Sequence, residues 1–510
     1  MLFRRVNHYL FAIALLSIFI AAMFLQSRIF FHEDVSWLMH AAERMLAGGT
    51  YSKNFFDPDP PMILYLYSLP VSLAHLFSIS HRLALRIGIT LLVLLVLFLC
   101  HRLNQYLFSP KDKVLAAILL LVIAVVFVVV PVAAFGQREH LFVILIMPYL
   151  FLVAVRGESK RKLNLGLILT IGLLAGLGFS IKPFFLFTLF FVEILLLCTT
   201  RNLMSWLRVE TLVIGVVTLC YVASVFLFFP DYFSVLAHCY QFFFSETFFK
   251  LRSDALTPSI IAILISVFIL YLANDTRKML GGILLIAVLS TFVIFLVQGG
   301  AVLYYHIYPT LSFVILLLNL LMWSLQKEMF VGLSKQSYLA IMTLLILMVF
   351  SLPFMSVSQQ ITYYMSEKKH SIRQQIITVM KSKAAYQSCY FITAYHMAYP
   401  MVDYAKLRSD SKFYNFSSLS ILESHRALAR SVQEKSSLLN KRNQLIDDIV
   451  DELKVINPHL IFVDLSNVPG FAAVKRKLMS DARLDSFWRG YQLLKTVGYY
   501  DVYERSDLRG

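Results

Sequence analysis

The chain has 510 residues, of which 59% are hydrophobic and 15% charged, with a mean hydropathy of +0.71 and a formal net charge of +16. That is more apolar side chain than a soluble fold of this length buries, so a water-soluble enzyme is excluded and a polytopic α-helical membrane protein is expected. The basic excess lies in short clusters between apolar runs, without a basic helix, RNA-type aromatic motif or zinc-finger spacing, which speaks against nucleic acid as a partner.

The first apolar run, Tyr9 to Leu25 behind Arg4 and Arg5, lacks a small-x-small cleavage site and reads as a retained signal anchor. Apolar segments long enough to cross about 30 Å of hydrocarbon recur at about 8–27, 84–107, 113–134, 141–155, 164–181, 183–200, 209–229, 259–273, 279–297, 302–324 and 337–356, giving about eleven spans. With a cytoplasmic N-terminus, the inside segments carry Arg102, Lys111 and Lys113; Arg156 and Lys160 to Lys162; Arg201 and Arg208; Arg277 and Lys278; Lys327 and Lys335. The short outside segments from the third span onward hold little beyond Arg138, Lys182, Lys250 and Arg252, as the positive-inside rule requires. Counting Met62 to Phe77 as a span would invert this pattern. It is therefore laid along the outer interface as an amphipathic helix started by Pro60 and Pro61.

After Phe350 the composition turns polar and no run is long enough to span, which predicts a small C-terminal α/β domain on the outer side. The expected division is 1–356 for the membrane unit, with its first outer loop at 28–83, and 357–510 for this domain. Its expected elements are helices near 367–383, 422–453 and 472–481, strands at 389–394 and 460–464, and paired strands at 491–496 and 500–503 around a Val-Gly turn. No internal repeat is evident. Five scattered cysteines form no CxxC pair, and the spacing of Cys239 and Cys389 permits a bridge without fixing one.

Three groups of residues can carry chemistry, and the predicted topology puts all of them at the outer face. The first outer loop holds Glu33 and Asp34 at the start of an interfacial helix, then Asp57 and Asp59 before the Pro-Pro pair. An acid beside a span is costly unless solvated or used; capping the helix is the plainer role, and a capping carboxylate is also rigidly held. Between the third and fourth spans runs FGQREH, where Arg138 and His140 suit a phosphate and Glu139 suits an acceptor or a cation, against the plainer reading of a snorkelling loop. Lys182, at the end of the fifth span, and Tyr304, Tyr305 and His306, at the start of the tenth, read first as interfacial anchors and second as ligand contacts.

Taken together, DVSW, AGGTY, FDPDPP, REH, YYHIYP and the α/β tail resemble the GT-C class of integral-membrane glycosyltransferases, in the style of protein O-mannosyltransferases and lipid A aminoarabinose transferases. The likeness covers roughly residues 10 to 325. It implies a GT-C-like membrane unit with interfacial helices in the first outer loop, and inverting transfer of a sugar from a polyprenyl-phosphate donor to a glycan, lipid or protein acceptor at the outer face of a bacterial inner membrane. The resemblance further implies that Asp34 is the general base, with Glu139 a second catalytic acid and Glu33, Asp57, Asp59, Arg138, His140, Lys182, Tyr304, Tyr305 and His306 contacting substrate. Asp57 and Asp59 depart from the Glu and Asn of the related pattern, and no metal or other cofactor is expected. Two rival classes are a lipid or polysaccharide flippase, which predicts charge at mid-membrane where Glu193 is nearly alone, and a non-catalytic scaffold.

Overall fold

The computed structural model describes residues 8–159, 162–243, 278–298, 304–328, 372–382, 387–393, 398–465 and 471–508. The membrane part comprises α1 (His8–Arg28), α2 (Glu33–Leu46), α3 (Met62–Phe77), α4 (His81–Leu107), α5 (Lys113–Val128), α6 (Arg138–Glu158), α7 (Leu165–Phe179), α8 (Leu186–Thr200), α9 (Val209–Phe228), α10 (Tyr232–Phe243), α11 (Lys278–Val297) and α12 (Tyr308–Glu328). Among the described residues, six helices are long and apolar enough to cross a membrane: α1, α4, α6, α8 with its preceding turn, α9 and α11. The chain is an integral membrane protein. Helices α5, α7 and α12 fall where three further spans are expected, and the expected spans at 259–273 and 337–356 lie outside the described residues.

Helix α6 is the axis of the bundle. It is apolar on every side and buried along nearly its whole length, packed by α4, α7, α8, α11 and α12, as a helix without a polar stripe must be. By contrast α1 and α9 leave most of their apolar surface outward, where lipid would lie. Helix α9 closes on α7 at Gly172 and Gly176, one turn apart. A Cβ at either glycine would meet the Cβ of Val213 or Val217 at 2.9 or 2.8 Å, so only glycine admits this approach. Glu193 carries no exposed charge: it accepts from Tyr149 and from Arg208, each at 2.5 Å.

Helix α5 ends at Val128, six residues short of the expected span, because Pro131 and Val132, the latter at φ 49°, turn the chain toward α6. Helix α3 is 16 residues long, roughly 24 Å. It lies against α2 and α4 through Ile63, Leu64, Tyr67 and Val71 and leaves Leu69, Leu76 and Phe77 exposed, an interfacial arrangement.

The C-terminal part has α13 (Ile372–Lys381), α14 (Ala398–Ala405), α15 (Ser417–Leu428), α16 (Val432–Ile456) and α17 (Phe471–Met479) around a four-stranded sheet. Its strands are β1 (Cys389–Ile392), β2 (Leu460–Asp464), β3 (Tyr491–Val497) and β4 (Tyr500–Arg505), in the order β1-β2-β4-β3. Strands β1 and β2 are parallel, and the remaining pairs are antiparallel. The single helix expected at 422–453 is two helices, separated at Ala429–Ser431, where the Ser431 hydroxyl accepts from the Glu434 amide to start the second. Cys389 lies in β1 and Cys239 in α10; both are free thiols, so the bridge their spacing permits is not formed.

The segment from Tyr399 to Phe416 lies on the first outer loop. The Phe56 amide donates to Lys412 O at 2.7 Å in a one-residue parallel bridge of Phe56 with Phe413, and the Arg44 guanidinium donates to Ser411 O at 2.6 Å. Trp37 stacks on Tyr414 at 5.6 Å and meets Tyr399 edge-on at 4.7 Å.

Candidate active site

Helix α2 is not capped by Glu33 or Asp34. His32 is the capping residue: its Nδ1 accepts from the Asp34 amide at 3.2 Å. The Asp34 carboxylate is thereby released to face α6 and α12. Its Oδ2 accepts from Tyr305 at 2.8 Å, Arg138 at 3.2 Å and Gln137 at 3.3 Å, and its Oδ1 accepts from Tyr414 at 2.9 Å. Donors on both oxygens fix the carboxylate in one orientation. Burial, then the Asp34 charge, pushes the Tyr414 hydroxyl well above the usual tyrosine range, so it stays a donor.

Arg138 stands at the N-terminal end of α6 and bridges two acids, Asp34 through Nη2 and Asp59 through Nη1. Asp57 is held in turn by Trp37 Nε1 at 2.6 Å and by the Asp59 amide at 2.7 Å. Burial, reinforced by the neighbouring Asp59, pushes Asp57 up to about 8, so it carries a proton at neutral pH.

Glu139 lies one layer deeper, 1% exposed, where it accepts from Lys182 at 2.5 Å and has His306 Nε2 at 3.8 Å. Among the described residues, Glu139 Oε2, Arg138 Nε and His306 Nδ1 are buried without a hydrogen-bond partner. Buried polar atoms left so cost about 1–3 kcal/mol each, a cost met where a ligand completes them.

These groups open on one cavity of about 510 Å³. It is lined by the polar side chains of Asp34, Asp57, Asp59, Arg138, Lys182, Tyr305 and His306 together with apolar ones from Phe184, Leu236, Val297, Phe413, Phe416, Leu419, Leu445 and Ile449. A charged head with an apolar body matches such a lining.

No protein-family model matches the chain, and no curated protein does. Solved structures do. The chain is similar to ArnT, the lipid A aminoarabinose transferase, from Cupriavidus metallidurans bound to undecaprenyl phosphate, with a TM-score of 0.58 and 13% identity over 98% of each chain. The fold is GT-C. The apo state of the same ArnT gives a TM-score of 0.54 and 12% identity over 96% of this chain and 97% of that one. A fainter likeness, TM-score 0.46 at 12% identity over 94% of this chain and 72% of the other, runs to the Archaeoglobus fulgidus oligosaccharyltransferase with zinc and sulfate.

Within this GT-C fold seven of the residues singled out from sequence share the cavity, three do not line it, and one, Tyr304, has its side chain outside the described residues. His140 is turned the other way: its Nε2 donates to Phe127 O at 2.7 Å and its Nδ1 accepts from the Gly136 amide at 2.9 Å, so it joins α6 to α5 and offers nothing to a phosphate. Glu33 pairs with Arg373 at 2.8 Å on α13. Glu139 sits behind the cavity wall, and Tyr304 begins the turn Tyr304–Ile307, its side chain outside the described residues. Tyr414 and Gln137 were not anticipated. Gln137 adjoins the REH triplet and was within reach of the sequence; nothing in KFYNF marks Tyr414, which is 380 residues from Asp34.

Proposed function

We propose that the chain transfers a sugar from a polyprenyl-phosphate carrier to an acceptor hydroxyl at the outer face of a bacterial plasma membrane. The N-terminus is cytoplasmic, residues 1–356 form the transferase unit, and residues 357–510 form an extracytoplasmic domain over it. The observation that carries this reading is the placement of the Asp34 carboxylate 3.2 Å from Arg138, in one cavity with Lys182 and His306.

In this reading the acceptor oxygen attacks the anomeric carbon from the face opposite the phosphate. The carbon–phosphate-oxygen bond breaks as the new one forms, the hydroxyl proton passes to Asp34, and the lipid phosphate leaves with the bonding electrons. A positioned carboxylate taking that proton contributes about 10² to 10⁴ in rate. Arg138, Lys182 and His306 gather positive charge and donors where the phosphate anion emerges. Glu139 acts through Lys182 and His306, holding both in place. The apolar lining from Phe184 and Leu236 accommodates isoprenoid or acyl chain. The ArnT structure, bound to undecaprenyl phosphate, supports a lipid phosphate as the donor's carrier.

The test pairs two measurements. Envelope lipid, polysaccharide and protein glycans of a deletion strain are compared by mass spectrometry with the same strain carrying the wild-type chain, which identifies product. Binding of undecaprenyl phosphate to purified protein in nanodiscs is then measured for the wild type and Arg138→Ala. A glycan lost on deletion and lipid binding lost in Arg138→Ala are expected; an unchanged glycan profile and equal lipid binding would refute the reading.

A further inference from the structure

Away from the cavity, at the far end of α2, Glu43 is approached by imidazoles from three helices. His75 in the last turn of α3 places Nε2 2.9 Å from Glu43 Oε1, and His81 at the first position of α4 places Nε2 3.7 Å from the same oxygen. His40, one turn before Glu43 on α2, places Nδ1 3.6 Å from Oε2. The chain builds this convergence locally. The connection from α3 to α4 closes through Ser78 in the left-handed region, φ 53°, and Ser80 accepts from the Leu83 amide to start α4, so the His75 and His81 rings stack at 5.6 Å with 12° between planes.

We propose that Glu43, His75 and His81 bind a divalent transition-metal ion of the zinc class, the fourth position being left to water. One ligand atom from each of Glu43, His75 and His81 falls within 4.8 Å of the others. Tetrahedral bonds of about 2.0–2.1 Å set ligand atoms roughly 3.3 Å apart, so the 2.9 and 3.7 Å separations of His75 and His81 from Glu43 Oε1 need only small rotations to close on an ion. Two stacked imidazolium rings repel, whereas two neutral imidazoles beside a carboxylate are a zinc donor set.

The outer shell supports the assignment. His40 Nε2 lies 2.8 Å from Asp403 Oδ1 and its Nδ1 3.6 Å from Glu43 Oε2, so His40 links the ligating carboxylate to Asp403 in the outer shell. Asp403 itself is held by the Ser36 hydroxyl. Because Asp403 belongs to α14, an ion here ties α2, α3 and α4 to the C-terminal domain. His75 is 59% exposed, so the site is open to an entering ion. None of the four residues lines the cavity, and the proposal stands or falls independently of glycosyl transfer.

The test uses the full-length protein, carried on a tag without histidine, stripped with chelator, dialysed against micromolar Zn²⁺ and passed through a desalting column. Metal per chain is then measured by plasma mass spectrometry. About one Zn²⁺ per wild-type chain is expected, with none retained by His75→Gln/His81→Gln. Asp403→Asn should weaken binding by about 10- to 100-fold while sparing the stoichiometry at saturation. Co²⁺ in place of Zn²⁺ should give tetrahedral visible bands in the wild type alone. Equal Zn²⁺ in wild type and in a double variant of unchanged gel-filtration profile, or no retained Zn²⁺ in the wild type, overturns the proposal.

Discussion

Tyr414→Phe removes one hydroxyl and nothing else, because the ring remains stacked on Trp37 at 5.6 Å and beside Tyr399. The lost contact is the 2.9 Å bond to Asp34 Oδ1, an oxygen facing away from the Tyr305, Arg138 and Gln137 donors on Oδ2. A hydrogen bond to a charged partner contributes about 1.5–3 kcal/mol. The Asp34 side chain is only 16% exposed, so water replaces the contact poorly. If the bond holds the carboxylate aligned for proton abstraction, kcat falls about 10- to 100-fold, with donor KM nearly unchanged. The assay is turnover of a polyprenyl-phosphate sugar in nanodiscs, alongside the melting temperature of the same preparation. Wild-type turnover in Tyr414→Phe would refute a catalytic contribution from the C-terminal domain. A fall in turnover matched by loss of folded protein would refute the positioning role.

Arg138→Lys keeps the charge but cannot span Asp34 and Asp59 at once; undecaprenyl-phosphate affinity measured by native mass spectrometry is expected to fall at least tenfold, since planar two-point recognition is lost. Asp57, ordinarily near 3.8 and raised to about 8 by burial and then by Asp59, binds a proton in the folded protein that the unfolded chain releases between these values. Its contribution is therefore complete below about pH 4 and is lost as pH rises toward 8, so the melting temperature of the wild type should decline over that window relative to Asp57→Asn, which has no proton to lose.

Much of the bundle was legible because membrane spans announce themselves by length and apolarity. The expected placement of α3 along the interface rests on charge balance, and the helix forms over Met62–Phe77, the stretch expected for it. What the sequence hid was direction. His140 and Arg138 are two residues apart at the start of one helix, yet the 100° step per residue sends one into packing against α5 and the other into the cavity. Glu33 and Asp34 compete for the same cap by sequence; the cap instead went to His32, which no propensity favours. The break between α15 and α16 was written in Ser431 and Glu434, a capping signal obscured by the continuous polar pattern around it. Tyr414 depends on docking between distant segments, which local pattern does not encode.

Asp34→Asn tests the central claim most directly. The amide fills the same space and still accepts from Tyr305 and Arg138, so undecaprenyl-phosphate binding and the melting temperature should stay close to wild type, while single-turnover sugar transfer in nanodiscs falls by about 10² or more. Transfer at the wild-type rate in Asp34→Asn would contradict the assignment of this carboxylate as the base.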